Sequence, residues 1–568
     1  MQEPLSDASK EATESNTTPP DAKSSTALGV VEDGTETAAV QQTMTGFPLY
    51  AVLVGICVGS FLMSIDVFII STAIPSIMSD FRDTSNIAWY PAAYSLTTCA
   101  LIPLAGKLSS ILPLRWVYQA FFAVFLVGSV VCGAATSSNM FIVGRAIAGV
   151  GASGVATGGL NVVLAVSSPA TRAMNMGLVS SMFALGIILA PIIGGAFTER
   201  VTWRWCFYVN LPAGAVTLAS MFFFFRPRAI HAEQSLRERL KHLDLVGCVL
   251  FVPACFMVLM AMQWGGVRYP WNSPTVIGLF VGGGCLVLVF IAWQWYMAEY
   301  ALIPGSVVKR RAVAVGCVFA FCQLGGLAVM SYYLPEWFQA VQGASPLESG
   351  VRVFPSVISQ IVGILIVGVL AVRARYYNPW FFVGSLLMCI AASLYTTFTT
   401  FDTPSSEWIG LQVLQGLGVG LTMQVTTLIL QQDLEGSPLL PVGVSLGLFS
   451  QYLGATVSQV IAGSIFNTYL REALRDAGLS PTQIGLLLQA GTGHVRETAE
   501  RYFPDFAVPV LDAYNHAITR VYFVPVATSA VAFVVALFLR WRPVETGDGK
   551  EKQLSDQSNA QEKGESVP

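Results

Sequence analysis

Apolar and polar positions along the chain separate into long apolar runs divided by short polar breaks. From residue 49 to residue 540 there are about fourteen such runs, each near twenty residues. A helix needs about 20 apolar residues to cross the hydrocarbon core of a bilayer. The pattern therefore predicts an all-α integral membrane protein with about 14 transmembrane helices. The predicted spans are 49–71, 88–107, 116–136, 140–163, 174–197, 204–225, 245–264, 275–296, 312–334, 347–371, 379–400, 408–430, 442–467 and 518–540.

Composition supports the same class. The 568 residues are 54% hydrophobic and 11% charged, whereas soluble domains carry about 25% charged residues. The formal net charge of −3 gives no basic excess, so nucleic-acid binding is not expected. Residues 1–46 and 543–568 are polar and lack apolar periodicity, which predicts disordered tails.

Basic residues predict the orientation, because short loops rich in Lys and Arg face the cytosol. Both termini are therefore predicted to be cytosolic, which requires an even number of spans. The segment 470–516 then forms a long external loop, which crosses regardless of its charge. The predicted cytosolic loops and ends contain Lys107, Arg115, Arg172, the cluster 226–241, Lys309, Arg310, Arg311, Arg373, Arg375, Arg540 and Arg542.

An internal repeat divides the chain into related halves. Span four contains Gly149 and Gly151, and span twelve contains Gly416 and Gly418 at the matching offset. Parallel repeats of this kind place a substrate site at the interface of the halves. The predicted organisation is a bundle of six helices at 47–226, a cytosolic loop with two linking helices at 227–311, and a second six-helix bundle at 312–542.

The fifth span combines small residues with a proline. Gly186, Ala190 and Gly194 recur every four residues and predict a helix face that a neighbour can approach to backbone contact. Pro191 cannot donate a backbone hydrogen bond, so it is expected to loosen this helix at membrane depth. Taken alone, the pattern also fits an ordinary packing seam.

These residues, with others, resemble the major facilitator superfamily, and within it the fourteen-spanner drug:proton antiporters of the fungal toxin and multidrug efflux branch. The resemblance implies two six-helix bundles plus two linking helices, alternating access, and exchange of protons for cargo. Ala190 departs from the family pattern, where glycine is usual. The antiporter motif is formed by Gly177, Gly186, Ala190, Pro191, Gly194 and Gly195, and further matches lie at 65–75, 145–154, 203–212, 243–247 and 263–266.

The loop after span two is similar to the superfamily's gating motif. Gly106, Lys107 and Arg115 fit that motif. Ser110 stands where an aspartate is usual, and Pro113 where a glycine is usual. The charge relay that the family motif implies is therefore expected to differ in this chain.

Asp66 and Arg145 are charged residues deep within the first six spans, where a charge is energetically costly. Because burial disfavours the charged form of a carboxyl group, Asp66 is predicted to bind and release protons. A structural carboxylate at a wet helix end is the alternative. Arg145 is predicted to tune the protonation of a group across the helix interface. The structural alternatives are that its side chain extends to the membrane boundary or binds carbonyl oxygens left free by a broken helix.

Polar side chains elsewhere in the spans predict where cargo binds. Amides and phenols suit a neutral or weakly polar amphipathic molecule, although each of them can instead join helices. The candidates for the substrate cavity are Tyr94, Asn175, Gln323, Gln424, Gln451 and Gln459.

The sequence therefore predicts a proton-coupled exporter of a lipophilic small molecule, such as a fungal secondary metabolite, toxin or drug. No GxxxxGK[ST] loop and no hydrolase constellation is found, so neither a cofactor nor enzymatic activity is expected. The proton gradient supplies the energy. We expect a monomer in the bilayer, at the plasma membrane rather than the vacuole. Two alternatives remain: a transporter of amino acids or iron chelates, and a non-transporting membrane sensor.

Overall fold

A computed structural model describes residues 44–81, 89–226, 243–266, 268–370, 376–397, 403–490 and 495–541. The predicted tails lie outside the described residues, except for residues 44–46. The basic cluster from residue 227 onward, Arg373, Arg375 and Arg542 also lie outside them.

The first described half of the chain is helical because its apolar runs satisfy their backbone hydrogen bonds internally, as a bilayer requires. Eight helices lie in the described residues up to residue 226, and the linking pair lies in those from residue 243 onward. Their bounds are α1 Phe47–Phe68, α2 Ile70–Phe81, α3 Trp89–Ile111, α4 Leu114–Gly133, α5 Ser138–Val166, α6 Pro169–Arg200, α7 Trp205–Tyr208, α8 Asn210–Phe224, α9 Leu245–Trp264 and α10 Pro274–Met297.

The second half repeats this helical build and adds short helices at one end. Some predicted spans are two consecutive helices, such as α16 with α17. The bounds are α11 Gly305–Val308, α12 Arg311–Ala340, α13 Pro346–Arg352, α14 Phe354–Leu370, α15 Asn378–Tyr395, α16 Ser405–Met423, α17 Val425–Leu434, α18 Leu440–Asp476, α19 Pro481–Ala490, α20 Val495–Tyr502, α21 Ala507–Val521 and α22 Phe523–Ala536.

The predicted fold class of about fourteen membrane helices is confirmed. Thirteen helical segments of the described residues are long and apolar enough to cross a membrane. The remaining predicted span is α3, which is 23 residues long but carries Tyr90, Tyr94 and Lys107 among its buried residues. These polar side chains lower its mean hydropathy, and they face protein rather than lipid.

Glycines set equivalent contacts in the two halves. A methyl group at Gly149 of α5 would overlap the backbone of Tyr94 in α3, and one at Gly151 would overlap the backbone of Phe125 in α4. In the second half, α16 contacts α14 and α15 in the same order. Glycine permits these approaches because it lacks a side chain. The glycines of α16 are Gly416, against Ser356 of α14, and Gly418, against Gly384 of α15.

We call the end of the bundle at which α1 begins the basal end, and the opposite end the distal end. Phe47, Arg115 and Phe222 lie at the basal end, where Phe47 packs on Phe224 and Arg115 contacts Phe222. Asp80 and Arg204 pair at the distal end.

The segment 470–516, which the sequence predicts as a long external loop, contains helices in its described residues. Helix α18 runs for 37 residues, about 55 Å at 1.5 Å per residue, and so exceeds a hydrocarbon core of about 30 Å. Its distal part packs against α19 to α21 through Leu474, Leu487 and Val510, all fully buried. Apolar side chains at helical spacing within this charged segment explain why it folds onto the bundle.

Candidate functional site

Asp66 and Arg145 form an ion pair inside the first half. Asp66 lies near the end of α1 and Arg145 near the start of α5, and 2.6 Å separates Asp66 Oδ2 from Arg145 Nη1. Their side chains are 0% and 1% exposed. Two opposite charges withdrawn from water are tolerated only when their remaining polar atoms also find partners. The predicted alternative in which Arg145 extends to the membrane boundary is therefore wrong.

Neighbouring helices supply those partners. Asn210 Nδ2 at the start of α8 donates to Asp66 Oδ1 at 3.3 Å and to Ser129 Oγ of α4 at 3.1 Å. Arg145 Nε donates to the carbonyl oxygen of Tyr90 at 3.2 Å. The network thus joins α1, α3, α4, α5 and α8.

Aromatic rings enclose the arginine. The guanidinium carbon of Arg145 lies 4.4 Å from the ring centre of Tyr94 and 6.0 Å from that of Phe207. Phe141 packs edge-on against Tyr90 and Phe207. The rings exclude water from the distal side of the pair, which strengthens electrostatic interactions there.

Sequence reasoning missed three members of this network: Tyr90, Ser129 and Asn210. Asn210 could have been identified from the sequence, because an amide within an apolar run requires a hydrogen-bonding partner. Ser129 and the carbonyl of Tyr90 could not, since small hydroxyl groups and backbone atoms occur throughout such helices.

The antiporter motif packs α6 against the helix that carries Asp66. Gly186 faces Ser64 of α1, and Gly194 faces Ile69. Ser64 Oγ also donates to the carbonyl oxygen of Phe183 at 2.7 Å. Ala190, between the two glycines, is fully buried. The motif therefore fixes the position of α1 within two residues of the acid.

The remaining motif residues have different surroundings. Gly177 faces Ile364 of α14, so it lies between the halves. Gly195 has open space on the side where a Cβ would point. Helix α6 stays continuous through Pro191, so the missing hydrogen bond does not interrupt it.

The residues of the predicted gating loop make three separate contacts. Gly106 packs against Ser445 of α18 in the second half. Lys107 is buried, and its Nζ donates to the carbonyl oxygen of Ala301, after the linking helices, at 2.8 Å. Arg115 donates to the carbonyl oxygen of Phe222 within the first half.

Ser110, which replaces the family's aspartate, donates to the carbonyl oxygen of Lys107 at 2.8 Å within its own helix. Its side chain therefore completes a local turn. This placement agrees with the expectation that the charge relay of the motif differs here.

The six candidates for the substrate cavity have different surroundings. Tyr94 is 2% exposed, and its hydroxyl has no hydrogen-bond partner in the described part of the chain. Gln323 donates to Thr422 Oγ1 at 2.7 Å and so joins α12 to α16. Asn175 donates to Ser167 Oγ at 2.8 Å. Gln451 of α18 is half-buried, and Gln459 is exposed.

The sixth candidate, Gln424, joins the two halves. Its Nε2 donates to the carbonyl oxygen of Met176 in α6 at 2.9 Å. Gln431 Nε2 approaches the sulfur of the same methionine at 3.2 Å. An ion pair between Arg172 and Glu435, 3.9 Å apart, lies beside them. We call these five residues the basal contact between the halves.

The sequence profile of the Major Facilitator Superfamily matches residues 56–459, which include both residues of the ion pair and the antiporter motif. The chain belongs to the Major Facilitator Superfamily. The predicted resemblance is thereby confirmed.

Named relatives agree with this assignment. The MFS-type transporter poxA of Penicillium oxalicum is 39% identical over 524 residues, 91% of this chain and 92% of that protein. The efflux pump aflT of Aspergillus parasiticus is 38% identical over 515 residues, 90% of this chain and 99% of that protein. The efflux pump roqT of Penicillium rubens is 39% identical over 494 residues, 87% and 90% of the two chains. The superfamily and these relatives are transporters.

Solved structures share the fold at low identity. The human organic anion transporter MFSD10 superposes with a TM-score of 0.51 at 14% identity, covering 85% of this chain and all of that one. A double-tryptophan mutant of XylE superposes with a TM-score of 0.56 at 12% identity, covering 88% and 97%.

Proposed function

We propose that this chain exports a lipophilic small molecule in exchange for protons, by alternating access between the two halves. The observation that carries the proposal is the buried pair of Asp66 and Arg145. An ionisable pair within the membrane that is held by hydrogen bonds from several helices is more typical of a proton site than of a packing element.

Proton binding at Asp66 would change the forces on the five helices of this network. A protonated carboxyl group no longer attracts the guanidinium of Arg145 as an ion, and its new O–H needs an acceptor. Asn210 Oδ1 is buried and has no hydrogen-bond partner among the described residues, so the amide can rotate to present this oxygen to Asp66. The amide thereby serves both protonation states.

A path of packed contacts runs from this site to the other half. Asp66 lies on α1, which packs on α6 at Gly186. Helix α6 in turn contacts α14 through Gly177 and α17 through Met176. Because packed interfaces change between discrete arrangements, a shift of α1 upon protonation would alter the contact between the halves.

The direction of transport and the cargo follow from the relatives and from composition. Two of the three relatives described above are named efflux pumps, and we extend export to this chain. The buried polar groups of the spans are mainly amides and hydroxyls, which suits a neutral amphipathic compound such as a secondary metabolite or toxin.

The basal end is assigned to the cytosol in this proposal, because the excess of basic residues lies in its loops. Both termini are then cytosolic. We assign the protein to the plasma membrane as a monomer whose energy comes from the proton gradient without a cofactor.

Purified protein in liposomes tests the proposal with a panel of fluorescent lipophilic compounds and an imposed pH difference. We expect the wild type to move at least one compound against its gradient. Asp66→Asn should lose this pH-driven transport but keep exchange of labelled for unlabelled compound. Asp80→Asn, a carboxylate 44% exposed at the distal end, is the matched control and should behave as wild type. Pump activity of Asp66→Asn at the wild-type rate would refute proton coupling at this residue.

A further inference from the structure

A groove runs along the outer face of the first half, between α4 and α8. Three aromatic residues line it, Trp116, Phe222 and Phe223, and the ring of Trp116 packs edge-on against that of Phe222 with centres 6.3 Å apart. The other lining residues are Gln119, Ala120, Ala123, Leu218 and Ala219. The groove is about 470 Å³ in volume and open along one side.

The groove is almost entirely apolar, with one buried amide. Among the described residues that line it, Gln119 is the only polar one, and its Nε2 lies beneath the groove surface with no hydrogen-bond partner in the described part of the chain. Leaving a buried donor unpaired costs about 1–3 kcal/mol. Rotation of this amide would bring the donor to the groove surface, where an acceptor on a ligand would satisfy it.

A positive charge stands at the basal edge of the groove. The guanidinium of Arg115 lies 5.1 Å from the ring centres of both Trp116 and Phe222. It donates to the carbonyl oxygen of Phe222, but no carboxylate of the described residues pairs with it. Its charge is therefore not neutralised by the described part of the protein. Arg226, also exposed, follows α8 at the same end.

We propose that this groove binds an anionic glycerophospholipid of the surrounding bilayer. Arg115 takes the phosphate, Gln119 donates to an ester carbonyl, and one acyl chain lies along Ala120, Ala123 and Ala219. Arg115 and Gln119 are four residues apart, about 6 Å along the helix axis. This spacing matches the separation of phosphate and ester in such a lipid.

The length of the groove along α4 agrees with a lipid that lies in one leaflet of the bilayer. Residues 116 to 123 rise about 10 Å along α4, which is less than the roughly 15 Å of hydrocarbon in one leaflet. Arg115 and Trp116 would then lie at the level of the headgroups, where basic and tryptophan side chains are favoured. The site does not depend on the cargo or on the direction of transport.

The test compares the purified protein in mixed micelles with added phosphatidylserine or phosphatidylcholine, measuring the midpoint of thermal unfolding. Phosphatidylserine should raise the midpoint of the wild type more than phosphatidylcholine does. Ala123→Phe fills the groove and should abolish the difference. Ala292→Phe places the same side chain on the exposed face of α10 and should preserve it.

Two further variants separate the polar contacts. Arg115→Gln should weaken the apparent affinity for phosphatidylserine about five-fold, as expected for one basic residue near an anionic headgroup. Gln119→Leu should weaken binding of both lipids, because it removes the donor to the ester. Native mass spectrometry should show one retained anionic lipid on the wild type and none on Ala123→Phe.

An equal response to phosphatidylserine in Ala123→Phe and the wild type would overturn the proposal, since it indicates non-specific annular lipid. An effect of inorganic phosphate alone, equal to that of phosphatidylserine, would also overturn it. Either result leaves the proposed transport function untouched, because transport is measured separately.

Discussion

Asn210 Nδ2 lies 3.3 Å from Asp66 Oδ1, on the carboxylate oxygen that Arg145 does not contact. The acid is thus held from two sides by helices α5 and α8. The same amide also donates to Ser129 Oγ of α4, which orients it while Asp66 is ionised. The proposed proton site therefore depends on several helices, not on Asp66 alone.

Replacing Asn210 with leucine should preserve the fold but reduce pH-driven transport. Leucine is branched at Cγ as asparagine is, but it cannot donate to the carboxylate or accept from its protonated form. We expect a fall of about ten-fold in the transport rate, and a shifted pH optimum. Asn210→Gln, which keeps an amide, should retain more activity than Asn210→Leu. Equal rates and pH profiles in all three proteins would contradict a role for the amide.

Removing one member of the ion pair should destabilise the protein more than removing both. Arg145→Gln leaves the Asp66 carboxylate buried without its cation, which costs about 3–5 kcal/mol. The double variant Asp66→Asn with Arg145→Gln should recover most of that loss. Thermal unfolding of the two single variants and the double variant in detergent measures this coupling. Additive losses would argue against a direct interaction.

The packing of α6 on α1 should tolerate no side chain at Gly186. A methyl group there would contact Ser64 Cβ at 2.7 Å and the carbonyl oxygen of Phe61 at 3.0 Å. Overpacking of this kind costs about 1–3 kcal/mol, so Gly186→Ala should lower the unfolding midpoint and the transport rate. Gly195→Ala is the matched control in the same helix, since its Cβ would meet open space. It should leave both quantities unchanged.

The apolar runs predicted nearly every helix, but contacts between distant helices were not predictable. Asp66 and Arg145 were each identified because a buried charge is costly; their pairing depends on how α1 and α5 pack, which no local pattern records. Gln424 was predicted to line the cavity, yet its amide reaches Met176 of the other half. The sequence shows only that such an amide needs a partner. The segment 470–516 was predicted as a loop because its helices are amphipathic and charged.

At the distal end, acid should weaken the pair of Asp80 and Arg204. The hydrogen bond from Arg204, and then that from Trp203, hold the pKa of Asp80 below its ordinary value. A lowered pKa in the folded state means that the stabilisation is present at neutral pH. It is lost as the pH falls below about 4, where the carboxylate takes up a proton.

The unfolding midpoint of the wild type should therefore fall more between pH 5 and pH 3 than that of Asp80→Asn. The difference should be small, below about 1 kcal/mol, because the pair is partly exposed and screened by salt. Repeating the measurement in high salt should reduce it further. A larger fall in the variant than in the wild type would contradict the assigned sign.

The basal contact should control how often the two halves separate at that end. Gln424→Ala removes the hydrogen bond to Met176, and one such bond contributes about 1 kcal/mol. A ligand-free transporter populates states that are closed and states that are open at the basal end. Losing about 1 kcal/mol from the closed state should lower the ratio of closed to open molecules about five-fold. Spin labels at Ser168→Cys and Ser437→Cys, in a background without native cysteines, would report the distance between the halves. We expect a larger fraction of molecules with a long distance between the two labels in Gln424→Ala.

Gln459→Ala is the control, since it removes an exposed amide of α18, and it should give the wild-type distribution of distances. An unchanged distribution in Gln424→Ala would show that this contact does not hold the halves together.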